Sequence, residues 1–223
     1  MVKAVLFDLD GTLVDNFVAI HACYSEAATR LGQVPHSYDT VRKAIGGSVP
    51  ITLAKLLPAE LVPAAVDHYR EAFGRRWHEG LAALPGAEAV LAALSGCGIR
   101  CAVFTNKNGL RSRQICDHLG LSPYLAFVLG TGDIPGRKPE PAFSQAALDR
   151  LGLPVAEVCL VGDSPYDLDA ARAISMTCYT VATGSHDAAD LAAAGADGVY
   201  PDLPTLARCV FGLDLQPSAA VPA

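Results

Sequence analysis

From Leu84-Pro85-Gly86 onward the chain alternates short apolar runs with amphipathic stretches of roughly ten residues, and no other feature limits the fold as much. Residues 100–105, 124–129, 158–161, 177–181 and 198–200 read as strands. Helical spacing falls between them, near 87–94, 110–119, 141–151, 165–174 and 188–194, with a last helix near 205–211. Strands joined through helices form βαβ units and hence a parallel sheet. The runs are continuously apolar, as strands covered on both faces must be. One more such run, Val2 to Phe7, opens the chain. Asp8 ends it and Gly11 follows, which predicts a buried strand and a tight loop.

The stretch after this first strand has a different rhythm. Phe17, Ile20, Tyr24, Ala27, Ala28 and Leu31 fall at helical spacing, and Gly32 supplies a stop. Further helices are predicted near 38–45, 50–57 and 59–79, with Pro63 early in the last, where proline is best tolerated. No strand signal occurs between Asp15 and Gly80. The predicted organisation is an α/β core from 1–14 and 85–211, an all-helical insertion over 15–84, and a frayed tail over 212–223.

Composition narrows the partners. Hydrophobic residues make up 51% of the 223 residues and charged residues 18%, which excludes general disorder. No apolar stretch approaches the roughly 20 residues of a membrane span. The net charge is −6, with no basic stripe or tail, so neither nucleic acid nor a membrane surface is an expected partner. The seven cysteines are odd in number and scattered, which points to buried thiols in a reducing compartment rather than a disulfide framework or zinc site. A cytoplasmic monomer or homodimer is the expectation.

In open parallel sheets ligands bind at the carboxyl ends of the strands. The first strand runs into Asp8-Leu9-Asp10-Gly11-Thr12. Asp8 and Asp10 are two apart, so both face the same side of an extended chain. Two carboxylates this close repel unless a cation or a proton intervenes. The next strand ends in Phe104-Thr105-Asn106-Lys107-Asn108, and a later loop reads Gly136-Arg137-Lys138-Pro139-Glu140-Pro141. A further strand ends in Gly162-Asp163-Ser164-Pro165-Tyr166-Asp167. Singly these are solvated aspartates, turn residues, a loop lysine and a helix cap. Together they form the set that phosphoryl transfer through an aspartyl intermediate requires: nucleophile, acid/base, phosphate clamp, lysine and magnesium site.

With these motifs the sequence resembles the haloacid dehalogenase superfamily over nearly its whole length, from Val2 to about Phe211. Asp8-x-Asp10-Gly11-Thr12, Thr105, Lys138 and Gly162-Asp163-x3-Asp167 match the four family motifs. The helical insertion resembles the family's first class of cap. Within that class Thr105-Asn106-Lys107 and Lys138-Pro139-x-Pro141 are most similar to the phosphoglycolate phosphatases. The resemblance implies a Rossmann-like core with strand order 5-4-1-2-3. It implies Asp8 as nucleophile and Asp10 as general acid, then base. Gly11, Thr105, Asn106 and Lys138 would hold the phosphoryl group, with Lys138 also paired to Asp8. Mg²⁺ would bind to Asp8, the backbone carbonyl of Asp10 and Asp163, with Asp167 in the outer sphere or bound through water. The implied activity is Mg-dependent hydrolysis of a small phosphorylated metabolite.

Asp10 argues against a dehalogenase, which needs no acid for its leaving group. A sugar phosphomutase shares the motifs, but such enzymes carry a basic residue in the cap loop, and here that loop reads Gly46-Gly47-Ser48-Val49-Pro50. A phospho-receiver module lacks a helical cap and orders its aspartates differently. A non-catalytic binding protein has no support, since every motif residue is intact. Within the insertion, Lys43, Gly46 and Gly47 are the expected substrate-selecting residues, because a glycine turn can approach the site closely.

Overall fold

The computed structural model describes residues 1–215. In chain order the elements are β1 (Ala4–Phe7), β2 (Val14–Asp15), α1 (Phe17–Arg30), α2 (Tyr38–Ala44), α3 (Val49–Leu56), α4 (Val62–Arg76), β3 (Ala82–Ala83) and α5 (Ala87–Gly96). They continue with β4 (Arg100–Asn108), α6 (Gly109–His118), β5 (Leu125–Thr131), α7 (Pro141–Leu151), β6 (Val158–Gly162), α8 (Pro165–Arg172), β7 (Thr177–Val181), α9 (Ala188–Ala193), β8 (Gly198–Tyr200) and α10 (Leu203–Phe211).

Six parallel strands form one sheet in the order β5-β4-β1-β6-β7-β8. Counted along the core, the first five strands lie in the order 5-4-1-2-3, and β8 adds an edge beside β7. The apolar runs are explained by burial on both faces. Val5 and Phe7 of β1 pack into a cluster with α5, α6 and α10, while Ala4 and Leu6 pack into a second cluster with α7 and α8. All four side chains are fully buried. Because β1 lies at the centre, Asp8 emerges between β4, which carries Thr105, and β6, which leads to Asp163.

Helices α1 to α4 enclose a cluster of their own, in which Tyr24, Leu53, Val66 and Phe73 are buried. The long helix expected over 59–79 is divided: a 3-10 turn at Ala59–Leu61 precedes α4, and Pro63 falls in the first turn of α4. The chain enters and leaves this unit through an antiparallel ribbon, in which Val14 pairs with Ala83 and Asp15 with Ala82. Strands of two residues are too short to show any periodicity, so this ribbon is absent from the sequence reading. Of the tail expected to fray, Leu213 and Leu215 pack against the first core cluster, while residues 216–223 lie outside the described residues. Among the described residues no helix is long and apolar enough to cross a membrane. All seven cysteines are free; Cys97 and Cys209 are exposed and the other five buried.

Candidate active site

The carboxyl ends of β1, β4 and β6 bring Asp8, Thr105 and Asp163 together, all nearly inaccessible to solvent. Gly11 makes this possible. Its φ of +85° suits glycine, and a Cβ there would stand 2.6 Å from Asp163 Oδ2. Gly184 also closes on the same carboxylate oxygen, where a Cβ would collide with it.

Lys138 is the buried cation of the site. Its Nζ lies 2.9 Å from Asp8 Oδ1 and 2.6 Å from Asp167 Oδ1. Asp167 is committed on both oxygens, because its Oδ2 accepts the N–H and hydroxyl of Ser164 at 3.1 and 2.7 Å. These contacts cap α8, with Asp167 at its third position reaching back to the residue before the helix. Asp163 Oδ2 accepts the N–H and hydroxyl of Ser185 at 2.7 and 2.8 Å. Its Oδ1 lies 3.4 Å from the Thr12 hydroxyl. Ser185 was not among the residues expected from the sequence. It lies in the loop after β7, and nothing in its local sequence marks it.

Asp10 sits at the rim of the site, paired with Lys107 at 2.8 Å. In the amide orientation that matches donors to acceptors, Asn16 accepts from Lys107 Nζ at 3.0 Å and donates to the Trp77 carbonyl at 3.2 Å. Thr105 Oγ1 accepts the Lys107 N–H at 3.2 Å. The Asn106 side chain acts as a clasp. Its Oδ1 accepts the Lys138 N–H at 2.8 Å, and its Nδ2 donates to the carbonyls of Lys138 at 3.1 Å and Gly46 at 3.0 Å.

Three buried carboxylates, Asp8, Asp163 and Asp167, place one oxygen each within 4.8 Å of one another, with Lys138 as the buried cation among them. Burial raises Asp163 to about 8, reinforced by the charges of Asp8 and Asp167. Burial likewise raises Asp8 above the usual carboxylate range, against the pull of Lys138. Burial disfavours the Lys138 charge too, but Asp167 and Asp8 outweigh it and hold the ammonium above its ordinary value. An all-oxygen cluster in which three carboxylates face one ammonium fits a hard divalent cation.

The residues expected from the insertion are placed unevenly. Gly46 meets the core: its carbonyl takes the Asn106 bond, its φ is +123°, and a Cβ would stand 2.9 Å from Tyr166 Cδ2. Gly47 lines a small cavity of about 60 Å³ that also touches Asp10, Tyr69 and Lys107. Lys43 departs from expectation. It is exposed and lines neither this cavity nor a larger one beside it. Helix α2 buries Val41 and Ala44, and this turns Lys43 outward. Its neighbour Arg42 instead donates to the Thr183 carbonyl at 3.0 Å. The larger cavity, about 490 Å³, is lined by Ser48, Tyr69, Arg70, Phe73, Lys107 and Arg111, among others.

Residues 5–181 match the family model described as haloacid dehalogenase-like hydrolase. A phosphoglycolate phosphatase of Neisseria meningitidis is 32% identical over 201 residues, covering 83% of this chain and 83% of that one. A phosphoglycolate phosphatase of Rhodospirillum rubrum is 31% identical over 217 residues, covering 92% and 90%. The solved structure of a hydrolase from Pseudomonas syringae superposes with a TM-score of 0.81 at 27% identity, over 95% of this chain and 99% of that one. With four strand-end motifs converging on one cleft and a family match across most of its length, the chain belongs to the haloacid dehalogenase-like hydrolases.

Proposed function

We propose that the protein hydrolyses a small phosphorylated metabolite, of the phosphoglycolate kind, through an aspartyl-phosphate on Asp8. It is a phosphatase of its family. The observation that carries the mechanism is Lys138, whose ammonium pairs with Asp8 and Asp167 at the floor of the cleft. The name shared by the relatives supports the substrate kind.

In the first step an Asp8 carboxylate oxygen attacks phosphorus, forming an O–P bond as the P–O bond to the leaving alcohol breaks. Asp10 gives its proton to the leaving oxygen. In the second step Asp10 takes a proton from water as the water oxygen attacks phosphorus. The Asp8 O–P bond then breaks and inorganic phosphate leaves. Lys138 offsets charge on Asp8 and on the phosphoryl oxygens, and the Thr105 hydroxyl donates to one of them. Asp8, Asp163 and the backbone carbonyl of Asp10 would hold Mg²⁺, with Asp167 behind them. When bound, the cation supplies Lewis-acid stabilisation of the phosphoryl oxygens and offsets the carboxylate charge. The helical unit α1 to α4 acts as a cap that excludes bulk water during attack and selects the leaving group.

The test is release of inorganic phosphate from p-nitrophenyl phosphate and a panel of metabolite esters, before and after exhaustive chelation. Release that stops on chelation and returns with Mg²⁺ is the expected result. No release from any ester would overturn the reading.

A further inference from the structure

The cavity of about 490 Å³ adjoins Asn106 and Lys107, the residues that follow Thr105, and none of Asp8, Asp163 and Asp167 lines it. Lys107 connects it to Asp10, the acid proposed for the leaving oxygen, so it adjoins the leaving-group side of the site. Its charged lining is cationic throughout: Arg70 of α4, Lys107 of β4, Arg111 of α6, and Arg137 of the loop before α7. Among the described residues no aspartate or glutamate lines it, in a chain whose net charge is −6.

Two of these cations are accounted for. Lys107 pairs with Asp10, and Arg137 stands 3.6 Å from Glu140. Arg70 and Arg111 have no carboxylate partner among the described residues. Arg111 is nevertheless held in place. Its guanidinium carbon lies 5.9 Å from the Phe73 ring centroid and 5.6 Å from that of Trp77. Arg70 precedes Phe73 by three residues on α4, the spacing that puts both on one face. Ser48 lines the same cavity; it is 7% exposed, and its hydroxyl is buried with no hydrogen-bond partner. Two cations without carboxylate partners lining one cavity call for an acceptor-rich ligand.

We propose that Arg70 and Arg111 are specificity-determining residues that bind a second anionic group, carboxylate or phosphate, on the leaving group. The proposal rests on the phosphatase reading and adds its substrate class. A guanidinium offers paired N–H donors to either anion. The leaving group is an anionic skeleton, its carbon face against Tyr69 and Phe73 of the same cavity.

The test compares matched esters on the full-length protein: phosphoglycerate against glycerol phosphate, and fructose bisphosphate against fructose monophosphate. Within each pair the first carries the additional anion. A kcat/KM at least about tenfold higher for the charged member of one pair is expected, and the pair that shows it identifies carboxylate or phosphate. Arg70→Gln and Arg111→Gln should each reduce that ratio by about tenfold, the loss of one charge-assisted contact. Arg75→Gln removes the same charge from α4, but Arg75 pairs with Glu26 and Glu71 and does not line the cavity, so the ratio should hold. A ratio near one in both pairs, or equal effects of Arg75→Gln and Arg70→Gln, would overturn the proposal. Calorimetric binding of the same pairs to the Asp8→Asn protein reads the preference without turnover. Failure to hydrolyse any ester would thus count against the phosphatase reading alone, while equal binding within both pairs would count against this one.

Discussion

Lys107 Nζ stands 2.8 Å from Oδ2 and 3.1 Å from Oδ1 of Asp10, so one ammonium spans both oxygens of the carboxylate proposed as acid and base. The same ammonium lies 4.7 Å from the centre of the Phe73 ring on α4. The position of Asp10 in the core is thereby tied to the helical unit, and Lys107 is a positioning residue.

Lys107→Met keeps most of the stem and removes the charge. With Asp10 no longer held, kcat should fall by about ten- to hundredfold, within the range that a displaced acid–base group costs. KM should change less, and the pH–rate profile should change shape. Lys107→Arg should restore part of the rate. Unaltered kcat and pH profile in Lys107→Met would show that Asp10 is positioned by other groups.

The metal-free protein should lose stability as pH rises from the ordinary carboxylate value of 3.8 toward about 8. Burial and the neighbouring Asp8 and Asp167 raise Asp163 to that value. Across this window the folded state keeps a proton that the unfolded chain has released, so unfolding becomes easier as pH rises. Below 3.8 both states hold the proton and the stability is fully present. A divalent cation should remove the slope by replacing the proton. Denaturant titrations at several pH values, with and without Mg²⁺, check this; stability that climbs with pH in the chelated protein would contradict it.

Lys138→Met should cost about 3–5 kcal/mol in the chelated protein, since it leaves Asp8 and Asp167 buried without their cation. Added Mg²⁺ should recover part of that loss, because it offsets the same charge. Denaturation midpoints measure both effects, and an unshifted midpoint would mean that the carboxylates are neutral in the folded state.

Asp8, Thr105, Lys138 and Asp163 were legible because each stands directly after a buried apolar run or between helix-breaking prolines. A parallel sheet brings such strand ends together whatever lies between them. The contacts that orient them were not legible. Ser185 reaches Asp163 across 22 residues, Asn106 reaches Gly46 across 60, and Lys107 reaches Asp10 across 97. No local pattern encodes partners so distant. The helical unit was read at its elements but not at its faces. Lys43 and Arg70 are both exposed cations on amphipathic helices, and only the packing of Val41, Ala44 and Phe73 decides which of them borders the cavity. Ser48 was passed over for the opposite reason: a serine before a helix reads as a cap, yet its hydroxyl makes no capping bond.

The central claim is that Asp8 becomes phosphorylated. Mixing the protein with a phosphoester and Mg²⁺, quenching in acid within one turnover and mapping the peptides by mass spectrometry tests it directly. The account predicts one phosphoryl group on the peptide that contains Asp8, and none in the Asp8→Asn protein. A phosphoryl group found on another residue, or turnover by Asp8→Asn at a comparable rate, would contradict it.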